Sequence, residues 1–436
     1  AAAGSGKTAV LTQRVINRLT DKENPVSADR LLIVTFTKAA ASEMRERISS
    51  ALTSLIREDP MDKNLINQQI LIPTAKICTI DSFCLDLVKE NFQHLSVSPD
   101  FRIGDEGEIA LLSKEAMDMT MEQLYQDDEG GDFKNLNELL FSGRDDSHLC
   151  DMIEKLYTAS MSFPFPEKWL DTLVGSFEKG EDIKKSAYGK IVLGYVRRVL
   201  EYTRDLTNNM LVSIADNADL QKAYLNALST DRAQIEYILD AIDRDCSWDE
   251  IRRAISAYKP ERLGRVPKEM SEDFAVVALK DNRGTVKDEL KALSASMCCS
   301  EEEYAEDMKN LGPMMKILTE TAKRYKHNYD LVKKEKKIAD FSDITHMALQ
   351  LLVKETAEGW ESTSLAENLK DNFSEILIDE YQDTNAAQDM LFTSVSKNNL
   401  FRVGDVKQSI YRFRQANPDI FISLKDAYEP YNKEEN

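Results

Sequence analysis

The sequence predicts an α/β protein: a parallel, phosphate-binding sheet assembled from both ends of the chain and interrupted by a large all-helical insertion. Three observations carry this. The segment Ala1-Ala2-Ala3-Gly4-Ser5-Gly6-Lys7-Thr8 has the Gly-rich form of a phosphate loop and runs directly into the helical pattern of Ala9-Val10-Leu11-Thr12. Short β-branched runs bounded by turn residues occur only near the two ends. Between about residue 105 and residue 335 the strand pattern disappears and a 3.6-residue period takes over.

Taken in order, Leu31–Phe36 and Lys76–Ile80 read as strands, as do Glu375–Asp379 and Leu400–Val403. They are apolar runs with helical stretches between them, the mark of parallel strands covered on both faces. Ser42–Ile48 reads as an exposed crossover helix. Asp105, with Glu108 three positions later, predicts a capped helix start and a helix reaching about Tyr125. Further helices are expected at Ile191–Thr207, Leu220–Ile242, Trp248–Tyr258 and Tyr304–Lys337, the last interrupted at Pro313. Asp127–Asp132 and Arg262–Pro267 read as loops. The Lys333–Lys337 run reads as a solvated helix face, and Asp340–Asp343 as the capped helix start that returns the chain to the sheet. The resulting division is 1–104 and 336–436 for the two parts of the sheet domain, with 105–335 inserted. Two sequential domains with a split site fit less well, because both phosphate motifs have to meet in one sheet.

At 436 residues, 42% hydrophobic and 30% charged, the chain has room for two or three domains. No apolar stretch approaches a membrane span, and no basic segment precedes an apolar leader, so no membrane association and a cytoplasmic location are expected. The chain starts at Ala1, inside the phosphate motif, so the strand that feeds such a loop is expected upstream of a trimmed end. Its six cysteines show no CxxC pair and no metal-like spacing with the four histidines, as for free thiols in a reducing compartment. The formal charge of −20 argues, as a global sum, against nucleic acid. A groove is local, however: acid concentrates at Asp127-Asp128-Glu129 and Glu301–Glu303, whereas Arg402, Lys407, Arg412 and Arg414 form a basic segment.

The motifs specify the chemistry. Glycines let successive N–H groups converge on a β-phosphate, Lys7 would neutralise β/γ charge and Thr8 would ligate Mg²⁺. Ala1, Ala2, Ala3, Gly4, Ser5 and Gly6 complete that ATP site. Asp379-Glu380 ends an apolar strand at the edge where such sheets bind ligands. Asp379 would hold the metal and Glu380 would deprotonate the attacking water, although an acidic turn there also needs no function. Gln408, just past a strand, can sense a γ-phosphate through its amide. Tyr411, Phe413 and Arg414 interleave aromatic faces with positive charge, as a single-strand stacking platform requires; packing on a helix is the alternative. Thr35, Phe36 and Thr37 sit at a strand end and open a helix, as does the segment Thr79–Cys84 with Ser82. Both could grip a strand backbone, and both could simply cap helices.

With these residues laid out, the chain resembles the UvrD/Rep/PcrA-like superfamily 1 DNA helicases. Ala-x-x-Gly-Ser-Gly-Lys-Thr, Thr35-Phe36-Thr37, Asp379-Glu380-Tyr381-Gln382-Asp383-Thr384 and Val403 through Arg414 stand in that family's order. Within it the chain is most similar to the AddA type of subunit of bacterial AddAB helicase–nucleases, on three features. These are Thr79-Ile80-Asp81-Ser82-Phe83-Cys84, the Val-Lys-Gln-Ser-Ile-Tyr-Arg-Phe-Arg form and the long insertion. The resemblance implies a RecA-like first motor domain, ATP with Mg²⁺, 3′→5′ movement on single-stranded DNA and processing of duplex ends for recombinational repair. It further implies an AddB-like partner, and exonuclease activity in a carboxyl-terminal region beyond this chain. By position, Lys7, Thr8, Asp379, Glu380 and Gln408 would serve ATP. Phe36, Tyr411 and Phe413 would stack bases, with Thr35, Thr37 and Ser82 touching the strand. Asp81 stands where simpler members place His, which puts one DNA contact in doubt. A stand-alone UvrD/Rep-type repair helicase accounts for the same motifs, and a nucleotide-dependent binding module without translocation is a third reading.

Overall fold

The computed structural model describes residues 6–128, 130–140, 146–178, 182–357, 359–409 and 415–429. Among these lie eight strands: β1 (Leu31–Thr35), β2 (Lys76–Thr79), β3 (Arg102–Ile103), β4 (Ile338–Ala339), β5 (Val353–Thr356), β6 (Gly359–Ser362), β7 (Glu375–Ile378) and β8 (Leu400–Arg402). The main sheet has the order β2-β1-β7-β8, and every neighbouring pair is parallel. The register sets Val34 opposite both Cys78 and Ile378, and Ile378 opposite Arg402. Thr35, Thr79, Asp379 and Val403 therefore line one edge, the carboxyl edge of the sheet.

Alternation along β1 feeds two separate cores. Leu31 and Ile33 pack with Leu11, Val15, Met44 and Ile48, from helices Lys7–Leu19 and Lys38–Glu58. Leu32 and Val34 face the other way, onto Phe83, Ile344, Leu391 and Phe392, from helices Ile80–Glu90, Phe341–Leu352 and Ala386–Ser394. Each such side chain withdrawn from water contributes about 1.5–3 kcal/mol, so the strands are held from both sides and their ends are fixed. Residues 42–48 are part of the longer helix Lys38–Glu58, whose Ala41, Met44, Ile48 and Leu52 are buried; only its other face is solvated.

The chain divides into two compact units, 1–171 with 317–436, and 172–316. In the first, the short parallel ladder β3–β4 pairs Arg102 with Ile338 and Ile103 with Ala339. Helix Glu106–Asp127 starts from the expected capping box, Asp105 with Glu108. In the second unit, helices Ala187–Ser213, Ala218–Asp243, Trp248–Ser256 and Phe274–Ser296 enclose Leu200, Tyr224, Ile235, Trp248 and Val286. A buried ion pair lies in the same unit: Arg283 Nε donates to Asp231 Oδ2 at 2.6 Å, and the Tyr258 hydroxyl donates to Asp231 Oδ1 at 3.2 Å.

Further features differ from the sequence reading. Helix Glu301–Lys336 runs through Pro313 without a break, because the ring removes one N–H bond while the neighbouring turns keep theirs. Lys333 is not on a solvated face: it is 2% exposed, donates to Asp343 Oδ1 at 2.6 Å and lies over the Tyr329 ring. Its ammonium reaches the carboxylates that cap helix Phe341–Leu352, whereas Lys334, Lys336 and Lys337 are exposed. The antiparallel pair β5–β6 also goes beyond the strands expected from sequence. No helix among the described residues is long and apolar enough to cross a membrane.

Candidate functional site

Gly6 caps helix Lys7–Leu19 from a left-handed conformation, φ 74°, and open space surrounds the position a Cβ would take. The helix is fastened to the sheet by Glu375, the first residue of β7, which is buried and pairs with both Arg14 and Arg18. Arg14 also lies 4.3 Å from the centroid of the Phe401 ring in β8. Removing the half-exposed arginines would leave the buried Glu375 carboxylate without its partners. The helix is thus anchored on the two strands that carry the acidic motif and its successor, and its first residue is Lys7.

At the carboxyl edge, Lys7 Nζ meets Glu380 Oε2 at 2.5 Å, across 373 positions of sequence. Glu380 itself is left-handed, φ 51° and ψ 43°, a conformation disfavoured for a residue with a Cβ. Its N–H donates to Asp379 Oδ1 at 3.0 Å. Burial, and then the adjacent Glu380 charge, push the Asp379 carboxyl above its ordinary value, against the pull of that N–H and of Lys7. Thr8 follows Lys7 on the first turn of the helix. A hydroxyl and a buried carboxylate are hard oxygen donors of the kind that bind Mg²⁺ together with nucleotide phosphates. The donor set therefore fits the metal expected from sequence.

One side chain joins these groups to the next motif. Gln382, 1% exposed, donates from Nε2 to Glu380 Oε2 at 2.8 Å and to Asp383 Oδ2 at 3.2 Å. Its Oε1 accepts the Asp405 N–H at 2.8 Å. Asp405 Oδ2 in turn accepts from Gln408 Nε2 at 2.8 Å, and Ser409 Oγ donates to Asp383 Oδ1 at 3.1 Å. A Cβ at Gly404 would stand 2.7 Å from Gln382 Oε1, so the glycine is what lets the two segments approach. Burial pushes the Asp383 carboxyl upward, and the Ser409 bond opposes it.

The chain matches the family model for the UvrD/REP helicase N-terminal domain over residues 1–429. It belongs to the UvrD/Rep helicase family. Over most of its length it is also similar to proteins named as the A-type subunit of an ATP-dependent helicase/nuclease. The one from Ruminiclostridium cellulolyticum is 37% identical over 98% of this chain and 35% of its own length. Those from Thermoanaerobacter pseudethanolicus and Clostridioides difficile are 39% and 37% identical, over 100% and 98% of this chain and 36% and 34% of theirs. The chain thus spans about a third of the length of these relatives. The parallel α/β sheet with its long helical excursion is consistent with the RecA-like core of this helicase family.

The helicase residues expected from sequence fall into three groups. Lys7, Thr8, Asp379, Glu380 and Gln408 are gathered at one end of the sheet. Thr35, Phe36, Thr37 and Ser82 sit along the same edge. Thr37 and Thr79 accept N–H groups of the helices they cap, Thr35 is buried with its hydroxyl on the Thr37 carbonyl, and the Ser82 hydroxyl lies 2.9 Å from that of Thr79. Phe36 is half-buried. Ala1, Ala2, Ala3, Gly4 and Ser5, together with Tyr411, Phe413 and Arg414, lie outside the described residues. Sequence reasoning assigned no role to Glu375 or Gln382. Gln382 stood inside the acidic motif, but its partner Asp405 is 23 positions away.

Proposed function

We propose that this chain is the first motor domain of an ATP-dependent 3′→5′ DNA helicase, in a helicase–nuclease that processes double-strand ends for recombinational repair. The observation that carries the reading is the meeting of Lys7 with Glu380 at the carboxyl edge of a parallel sheet. In this reading Lys7 holds β/γ-phosphate oxygens, and Glu380, beside it, accepts the proton of the attacking water. Thr8 and Asp379 hold Mg²⁺, which neutralises phosphate charge when bound. Gln408 reports the γ-phosphate to the segment that follows it. Thr35, Phe36, Thr37 and Ser82, with Tyr411, Phe413 and Arg414, contact single-stranded DNA.

The same reading gives the whole protein an AddB-like partner, a cytoplasmic location and exonuclease activity in a separate region. In this reading 105–335 is an insertion between the two parts of the motor, 1–104 and 336–436, and its residues 172–316 form a compact unit of their own. Similarity to helicase/nuclease subunits favours this over a stand-alone repair helicase. The test is strand displacement by the full-length protein with its partner, on duplexes carrying a 3′ or a 5′ single-stranded tail. Unwinding that requires ATP and prefers the 3′ tail is expected; a 5′ preference contradicts the assignment. Related phosphate chemistry gains roughly 10³–10⁵ in rate from an arginine reaching the γ-phosphate, and here that arginine belongs to a second motor domain. This chain alone is therefore expected to hydrolyse ATP negligibly. DNA-stimulated turnover by the isolated chain, abolished by Lys7→Ala, would refute that.

A further inference from the structure

We propose that Gln382 is the positioning residue that holds Glu380 in its working orientation and ties that orientation to the turn carrying Gln408. The inference rests on the ATPase reading above and deepens it. Three observations support it. First, the amide is engaged in both directions: two carboxylates accept from its nitrogen and one backbone N–H donates to its oxygen. Asparagine is one methylene too short to span the same gap, and glutamate would present a third negative group to Glu380 and Asp383. Second, the contact is built by the backbone. Gly404 leaves no room for a side chain at 2.7 Å from Gln382 Oε1, and the Tyr381 N–H donates to the Val403 carbonyl at 2.9 Å, which clamps the two segments together. Third, Gln382 bonds the same Glu380 oxygen that meets Lys7.

A carboxylate in a left-handed turn, with one oxygen tethered by a buried amide, has little rotational freedom. Any shift of the 404–409 segment pulls on Asp405 and reaches Glu380 through two hydrogen bonds. Coupling of this kind needs a contiguous path with defined partners, and each partner here is named. Gln382 touches neither reacting atom. Its effect passes through Glu380.

The experiment uses the full-length protein with its partner and compares Gln382→Met, Glu380→Gln and the double variant. Gln382→Met keeps the volume and removes both donors and the acceptor. Its kcat for single-strand-stimulated ATP hydrolysis should fall at least tenfold, with KM within twofold, because Lys7 and Thr8 are untouched. The double variant should fall no further than Glu380→Gln alone, the non-additivity of residues that act as a unit. Retention of kcat within twofold, or losses that simply multiply, overturns the proposal. A parallel fall in melting temperature and rise in KM would mark a merely structural role and overturn it as well. Should Gln382→Met not fold, Gln382→Asn, which keeps a neutral amide but is one methylene too short to bridge, decides by the same comparison. Absence of ATPase in the unmodified protein would instead remove the functional reading itself, so the two failures are distinct.

Discussion

Glu380→Gln in the full-length protein should leave nucleotide binding nearly intact and lower kcat by about 10²–10⁴-fold, the usual contribution of a positioned general base. The substitution keeps an oxygen for Lys7 and Gln382, which both reach Glu380 Oε2. It removes the negative charge and the capacity to accept a proton. Because the left-handed turn and the N–H that Asp379 Oδ1 accepts belong to the Glu380 backbone, the Glu380 side chain can change without moving the strand end. Single-turnover hydrolysis with equilibrium binding of a fluorescent nucleotide separates the two effects. Lys7→Ala should behave oppositely in binding, losing affinity along with rate. Equal loss of affinity in both variants would mean that Glu380 serves the ground state rather than the chemistry.

Asp231→Ala should destabilise the 172–316 unit by about 3–5 kcal/mol, the cost of leaving a buried charge without its partner. Arg283 is 2% exposed and Asp231 1%. The guanidinium also donates to the Glu261 carbonyl at 2.7 Å, and Tyr258 completes the set. Truncating Asp231 strands the guanidinium in an apolar helical core. Replacing both partners, Asp231→Leu with Arg283→Met, should recover most of the loss, since a well-packed apolar pair of similar volume is often neutral or stabilising. Denaturant unfolding followed by helical ellipticity checks both. A single variant within about 1 kcal/mol of the parent would show that the pair is solvated in practice.

Much of the sheet was readable from sequence because the central strands β1 and β7, buried at every position, are nearly continuous apolar runs, and all four principal strands begin at the residues where the sequence sets them. Caps were readable for a different reason: Thr37, Thr79, Asp105 and Asp340 act within three residues of themselves, so the signal is local. Features that depend on distant partners were not. Nothing near Glu375 announces that Arg14 and Arg18, 361 and 357 positions earlier, will bury it. Lys333 carries the composition of a solvated run and is drawn inward only by the caps of a helix that follows. Two-residue strands such as β3 and β4 have no periodicity to detect. At the site, Lys7, Asp379 and Glu380 could be singled out from local motifs and the fold brings them together, whereas the bridge through Gln382 required the fold to bring residues 404 and 405 alongside.

If the phosphate-loop lysine and the acidic motif serve a single nucleotide, their contributions to ATP affinity cannot be independent. A double-mutant cycle measures this, with Lys7→Ala, Asp379→Asn and their combination in the full-length protein at fixed Mg²⁺. Residues that share one ligand should show a coupling of about 0.5–3 kcal/mol. Effects that add to within about 0.3–0.5 kcal/mol, the behaviour of separate sites, would contradict it.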